Sequence, residues 1–468
     1  MGQKRNVLIR GKGNEMTGSK LLCVIAAFLL TAIPAQALNN WTVALYCAAE
    51  TGRSDAIREE AIIKQLLQIE KAGVANGCEF IVQLEMAHNT SEFLADFYKK
   101  HNLKNEQRTV RLKLVNGKWS RETSWSTNIN MGSPGALDSF LGWMKNSHAA
   151  RHYFVILTGW GDGLFAKQGA GGYASKEPGA VEFTSNFVAY DKNYDDCLTI
   201  FEIQKVFEKF RKKRNRGRKI DIVAFDARFA GSLEALYEFK DTAQIAIASP
   251  LDDMVTRFDY SAPARLLVEE PRVFPEQLAD RVARAFIDRP DNEKGGDAVV
   301  GAWRLSELAE VGAAVDTLAI EMLRGVADTG AKYEGKHYRY DYDENDRHKK
   351  YWDLYNFADH VQGGRVKPTG DKLPKNYSQI KTAARYVKDA IEAANITLFR
   401  NESAKTDDKL GGLNIVMGDH DESFPRAWKN EGFRQFYSAT RFAQDFNWDR
   451  LIDHQMGVEG KGPIHDGF

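Results

Sequence analysis

Five short apolar runs, each followed by a longer stretch with helical spacing, constrain this chain more than any other feature. The runs are Trp41 to Cys47, Cys78 to Leu84, Tyr153 to Leu157, Ile220 to Phe225 and Gln244 to Ser249. Asp55 to Lys71 carries Ile62, Leu66, Leu67 and Ile69 at helical spacing, Ser133 to Asn146 opens on Ser-Pro-Gly, and Phe201 to Lys213 and Ser232 to Phe239 continue the alternation. Short apolar runs bounded by turn residues read as strands, and the periodic stretches between them read as helices. Repeated strand-helix-strand units build a mostly parallel sheet, because the crossover helix returns the chain to the same end. The fold class is therefore α/β, a mostly parallel sheet with helices on both faces.

Beyond Pro250 the texture is helical, with Pro275 to Asp288, Leu305 to Ala327 and Gln379 to Ala394, and one late strand over 412–417. A strand so isolated is expected to return to the edge of the first sheet. Residues 38–260 are then the α/β core and 261–468 a largely helical C-terminal elaboration of it.

The first 37 residues read differently. Lys4, Arg5, Arg10, Lys12 and Lys20 precede an apolar run from Leu21 to Ile33, and Ala35-Gln36-Ala37 supplies the small residues that signal peptidase accepts. Residues 1–37 are read as a cleaved signal peptide and the protein as secreted or periplasmic, with no stable membrane anchor. Of four cysteines, Cys23 leaves with that segment. Cys47 ends one parallel strand and Cys78 begins another, so a bridge between them is not expected. Sixty-four basic and sixty-four acidic side chains cancel. No global field then draws nucleic acid or an anionic membrane, and nucleic acid is not expected as a partner.

In an open α/β sheet reactive groups sit where strands end, because the strand fixes the backbone and the next loop frees the side chain. Two strand ends stand out. One is Phe154-Val155-Ile156-Leu157-Thr158-Gly159-Trp160-Gly161-Asp162-Gly163; the other is Ile222-Val223-Ala224-Phe225-Asp226-Ala227-Arg228-Phe229-Ala230-Gly231.

These two frames, in this order, resemble the clostripain family of cysteine peptidases, in which a strand ending in Asn-His-Gly-Gly-Gly carries the general base. A later strand ending in Phe-Asp-Ala-Cys carries the nucleophile. Further resemblance lies in Trp41-Thr42-Val43, Asn130-Met131-Gly132-Ser133-Pro134, Ala248-Ser249, Asp353 to Ala358, Gly412-Leu413-Asn414-Ile415 and Asn447-Trp448-Asp449. The resemblance implies a caspase-like fold with a peptide-binding groove at Gly159, Trp160, Gly161, Asp162, Asp226, Arg228 and Ser249.

Two substitutions alter what it implies chemically. Trp160 stands where the family has His, and Arg228 where it has Cys. A cysteine peptidase needs a thiolate to attack and an imidazole to activate it and protonate the leaving amine. Indole nitrogen has no basic lone pair and arginine stays protonated, so neither replacement serves. The expectation is an exported pseudo-peptidase with no intact catalytic residue, binding a peptide or protein. The alternative is an active cysteine peptidase or other hydrolase that uses relocated residues, with Asp226, Asp162 and Glu234 as available carboxylates. The resemblance also implies that Asp226 stands at a position that helps accept Arg or Lys side chains in relatives preferring basic substrates. An internal pair of Asp226 with Arg228 competes with an Arg228 that points to solvent.

Two further motifs keep alternative readings. Asp191, Asn193, Asp195 and Glu202 fall at loop positions that supply oxygen ligands in a calcium-binding loop, though Asp196 replaces the usual glycine. Calcium as a cofactor competes there with an ordinary acidic turn and helix cap. The run Arg211-Lys212-Lys213-Arg214 with Arg216, Arg218 and Lys219 reads as a solvated helix end or as a patch for an acidic partner.

Overall fold

The computed structural model describes residues 38–49, 55–86, 91–103, 108–125, 128–159, 161, 187–251, 258–288, 299–330, 332–335, 351–370, 372–397, 401–402, 409–417, 424, 428–429 and 433–458. The signal segment, Trp160 and Asp162 lie outside the described residues.

An eight-stranded sheet organises the chain from Asn39 onward. Its strands are β1 (Asn39–Cys47), β2 (Cys78–Glu85), β3 (Thr109–Val115), β4 (Lys118–Trp125), β5 (Ala150–Thr158), β8 (Ile220–Asp226), β9 (Ala243–Ala248) and β10 (Gly301–Arg304). Strands β6 (Phe187–Asp191) and β7 (Asp196–Thr199) form a separate hairpin between β5 and β8 in the chain. The spatial order is β10-β9-β8-β5-β1-β2-β3-β4, with β1, β2, β5, β8 and β9 parallel and the outer strands antiparallel. The five parallel strands are the five apolar runs. They are apolar throughout because helices cover both faces, and every residue of β8 is buried.

Helices α1 (Asp55–Ala72), α2 (Glu92–Lys100), α3 (Pro134–Ser147), α4 (Ile200–Lys209), α5 (Leu233–Tyr237), α6 (Ser261–Glu269) and α7 (Pro275–Ile287) connect and cover the strands. Ile62, Leu66 and Ile69 of α1 are buried, as their spacing requires. Ser133 caps α3 through its hydroxyl on Gly135 N, with Pro134 at the first helical position. The register Trp41↔Cys78 and Cys47↔Leu84 puts Cys47 and Cys78 at opposite ends of their strands, and both thiols are free and buried.

The late strand does not join the large sheet. Asn414–Val416 pairs antiparallel with Tyr351–Asp353 in a two-stranded sheet of its own. The edge is taken by β10, and Ile396 N and Thr397 Oγ1 in turn hydrogen-bond Ala302 of that strand. The reason lies in where the late strand's N–H groups go: Asn414 N donates to Gly231 O and Val416 N to Glu234 Oε1. Both partners lie just after β8, so the strand sits above the sheet's C-terminal end. Among the described residues no helix is long and apolar enough to cross a membrane.

Candidate functional site at the strand ends

Strands β5 and β8 are neighbours in parallel register, from Phe154↔Ile222 to Thr158↔Asp226. The two glycine-bearing turns that follow them are therefore forced together. Gly159 N donates to Asp226 O at 3.3 Å. At Gly161, whose φ is +60°, a Cβ would lie 2.6 Å from Arg228 N and 2.7 Å from Ala227 Cβ. The turns thus touch backbone to backbone, and only glycine fits at position 161. Gly159 and Gly161, the described residues on either side of position 160 in the sequence, both abut the Arg228 turn.

Gly159 faces a second constraint. A Cβ there would run into Val188 O and come within 2.8 Å of Ala189 Cα on β6. Gly159→Ala is therefore expected to cost about 3 kcal/mol through overpacking against backbone that cannot move aside. A denaturant midpoint equal to that of the unmodified protein would contradict this packing.

Asp226 is fully buried, and its Oδ2 accepts from Thr158 Oγ1 at 3.1 Å and from the Tyr260 hydroxyl. Burial and the neighbouring carboxylate raise the Tyr260 pKa well above 10, so that hydroxyl remains a donor. Cys47, Thr158 and Asp226 line up across β1, β5 and β8. Cys47 is the described thiol at these strand ends. Burial, and then Asp226, raise its pKa well above the free-thiol value, which leaves it a protonated core residue.

Arg228 is half-buried, with its guanidinium 5.7 Å from the centre of the Phe229 ring. Phe229 holds a left-handed φ of +53°, a conformation that strains a bulky residue. Two contacts hold it there: Phe229 N donates to Leu251 O at 2.9 Å, and its ring stacks on Tyr351 with centroids 4.9 Å apart. Gly231 N donates to Ser249 O, and Ser249 Oγ accepts from Leu251 N. Ser249 is fully buried, so it ties the turn together from behind. Beside Arg228 a cavity of about 20 Å³, lined by Phe225, Ala227, Phe229 and Phe239, has room for about one water.

Three distant motifs meet behind this turn. Asp353 caps the helix Leu354–Gly363 and accepts from Gly411 N, Leu354 N donates to Leu413 O, and Trp448 Nε1 donates to Val416 O at 2.7 Å. With Asn414 N on Gly231 O, they buttress the Arg228 turn from the C-terminal half.

The acidic turn closes the β6–β7 hairpin. Asp191 is buried, with Oδ1 accepting from Asn193 N and Oδ2 from Met131 N. Asp195 accepts from the Tyr190 hydroxyl. Glu202 Oε2 instead accepts from Thr199 N and Oγ1 in a capping box that opens α4. Asp191, Asn193 and Asp195 therefore share the turn, while Glu202 is turned to the helix cap. Among the described residues no group of three or more His, Cys, Asp or Glu side chains is placed to hold a metal.

The sequence profile of the clostripain family, the C11 peptidases, matches residues 91–454. The chain belongs to the clostripain family. Among proteins with curated descriptions, none matches it. In fold it is similar to an inactive zymogen of a C11 protease from Parabacteroides distasonis, with 13% identity, a TM-score of 0.57 and coverage of 87% of this chain and 98% of that one. It is also similar to a secreted C11 cysteine protease from Bacteroides thetaiotaomicron, "iotapain", with 13% identity, a TM-score of 0.55 and coverage of 87% and 99%. A secreted C11 cysteine protease from the same organism, in complex with an irreversible peptide inhibitor, gives 14%, 0.54, 88% and 99%. The caspase-like α/β architecture and the helical C-terminal half agree with the family. Sequence reading did not reach Thr158, Tyr260 or Cys47 as neighbours of Asp226. Thr158 had a signal, as the last residue before the glycine turn; Tyr260 had none.

Proposed function

We propose that this clostripain-family protein is exported, performs no peptide hydrolysis, and retains the strand-end groove to bind an extended peptide or a protein segment. One observation carries the reading. The turns after β5 and β8 still meet at Gly161 and Arg228, and the residues at the family's His and Cys positions in the sequence are Trp160 and Arg228. Neither can act as nucleophile or general base. The described thiols add support: Cys47 and Cys197 are buried with strongly raised pKa values, and Cys78, raised to about 11, lies at the far end of its strand.

Retention of a groove is supported by the strained turn. A left-handed Phe229, held by Leu251 and Tyr351 and buttressed by the C-terminal motifs, persists although no nucleophile remains for it to present. A peptide as ligand class follows from the relative that holds a peptide inhibitor on the same fold. Asp226, the position that helps accept basic side chains in relatives, is engaged by Tyr260 and Thr158 here, so basic peptides lose their usual anchor. The N-terminal segment with Ala35-Gln36-Ala37 supports export.

The test pairs an assay with a binding screen on the purified protein. Fluorogenic peptides of Arg, Lys, Leu and Phe should show no cleavage, while an immobilised random peptide library should enrich sequences whose binding is lost in Arg228→Glu. Cleavage that survives removal of trace proteases, or a library without enrichment, would defeat the corresponding half.

A further inference from the structure

The opposite end of the sheet, where β8 and β9 begin and β10 ends, holds a cavity of about 690 Å³. Lys219, Gln244, Phe274, Glu276, Arg304 and Ser306 are among its walls. Phe274 is 71% exposed, the highest of the large apolar side chains among the described residues. It also occupies the N-cap of α7 with no side-chain capping bond, a position where a polar residue would stabilise the helix. Neither burial nor local helix stability accounts for a phenylalanine there.

The basic run divides into two halves with different electrostatics. Lys209 and Arg214 share Asp138, and Arg211 and Lys212 share Glu208, so each of these four cations already has a carboxylate partner on the protein itself. Arg218 and Lys219 instead donate to backbone carbonyls, Arg151 O and Lys240 O, which cancel no charge. Arg151 is exposed at the start of β5 and pairs with no carboxylate among the described residues. Glu276 on the cavity wall is already matched by Nε and Nη2 of Arg304, and the nearby Asp221 is buried, with hydrogen bonds to Tyr153 N, Gln244 Nε2 and a ring nitrogen of His152. A strip of uncancelled positive charge therefore runs from Arg151 through Arg218 to Lys219, ending at an apolar rim.

We infer that this cavity and its cationic rim form a docking site for an acidic peptide segment that presents one apolar side chain to Phe274. Nucleic acid fits less well, since stable phosphate-backbone binding uses roughly 6–10 cationic contacts and the chain as a whole is neutral. The site is independent of the groove at the other end of the strands.

The test uses the purified protein and a fluorescein-labelled polyglutamate peptide carrying a central leucine, followed by fluorescence anisotropy. Saturable binding that weakens with added salt is expected. Arg218→Glu combined with Lys219→Glu should weaken it by roughly tenfold or more, since like charge then faces the peptide. Phe274→Ser should weaken the leucine peptide several-fold and leave pure polyglutamate unchanged. Lys212→Glu, at a lysine already paired with Glu208, should leave the affinity in place. All three sites lie on the surface, and circular dichroism confirms folding of each variant. Absence of binding, or affinity indifferent to Arg218→Glu with Lys219→Glu, would overturn the inference. Tighter binding of a single-stranded oligonucleotide at the same residues would overturn the peptide assignment.

Discussion

Cleavage is expected to appear when Trp160→His and Arg228→Cys are introduced together, and to stay absent with either change alone. Attack and proton transfer are carried by separate residues that act as a unit, so one without the other recovers little. The pair would place an imidazole and a thiol on turns that already touch, because Gly161 packs on Arg228 N and the strands are in register up to Thr158↔Asp226. A gain on the order of 10²–10⁴-fold over the unmodified protein is expected, short of a natural enzyme's rate, because the substrate side of the groove has not been tuned for turnover. Labelling of the thiol introduced by Arg228→Cys with a thiol-directed peptide inhibitor gives a second readout, and the buried native thiols should not react. Silence of the double variant, with the fold intact, would show that the groove is closed to an extended peptide. It would count against the binding half of the proposal while leaving the inactive half standing.

Stability should fall as pH rises from about 4.5 to 7, and Glu234→Gln should remove its own share of that fall, the rest lying with Glu238 and Asp449, which burial raises to about 7 and about 6. Glu234 on α5 is fully buried, and Oε1 accepts from Val416 N and the Tyr437 hydroxyl. Burial lifts its pKa from the usual 4.5 to about 7, and the hydrogen bonds from Val416 and Tyr437 only partly counter that. An acid with a raised folded-state pKa binds its proton more tightly when folded. Its contribution is fully present below the unfolded value and is lost as pH rises through the folded one. A shift of this size corresponds to about 3 kcal/mol between the two plateaus. Glutamine keeps the acceptor and cannot ionise, so the variant should match the native protein near pH 4.5 and exceed its stability at pH 8. Carboxylates with lowered values, Glu79 and Glu208 at about 2, lose stability only below this window. Parallel curves for the two proteins between pH 5 and 8, from urea denaturation, would refute the assignment. The same contact fastens the late strand to the helix behind the Arg228 turn, so the pH effect would also loosen the support of the groove.

The parallel core was legible because its signals are local. A strand buried on both faces must be apolar throughout, so β1, β2, β5, β8 and β9 announced themselves, and the turns after β5 and β8 were bound to be exposed ends. The hairpin of β3 and β4 was not legible. It is an outer pair with alternating or mostly exposed residues, and its polar positions mimic loop sequence. Strand β10 is four residues long, too short for any periodicity.

Family membership was likewise within reach of the sequence, since ordered motifs from Trp41 to Asp449 survive as printed residues. What those motifs do to one another was not. Asp353, Asn414 and Trp448 are far apart in the chain and meet only because the two-stranded sheet folds back onto Gly231. Asp226 and Arg228 stand two residues apart and suggest an ion pair, but no local signal points to Tyr260, which reaches Asp226 from a segment with no motif of its own. The acidic turn has loop spacing for calcium, and that spacing did not reveal that Thr199 engages Glu202 as a helix cap. The basic run looked uniform, and only the positions of Asp138 and Glu208 divide it into a half whose cations have carboxylate partners and a half whose cations meet backbone carbonyls. By itself the sequence determined which core segments are strands and helices, which turns end at the sheet's C-terminal edge, and which residues stand at the family's motif positions. The tertiary structure alone decided which polar groups pair, because a hydrogen bond or ion pair depends on distances between segments that no local pattern records.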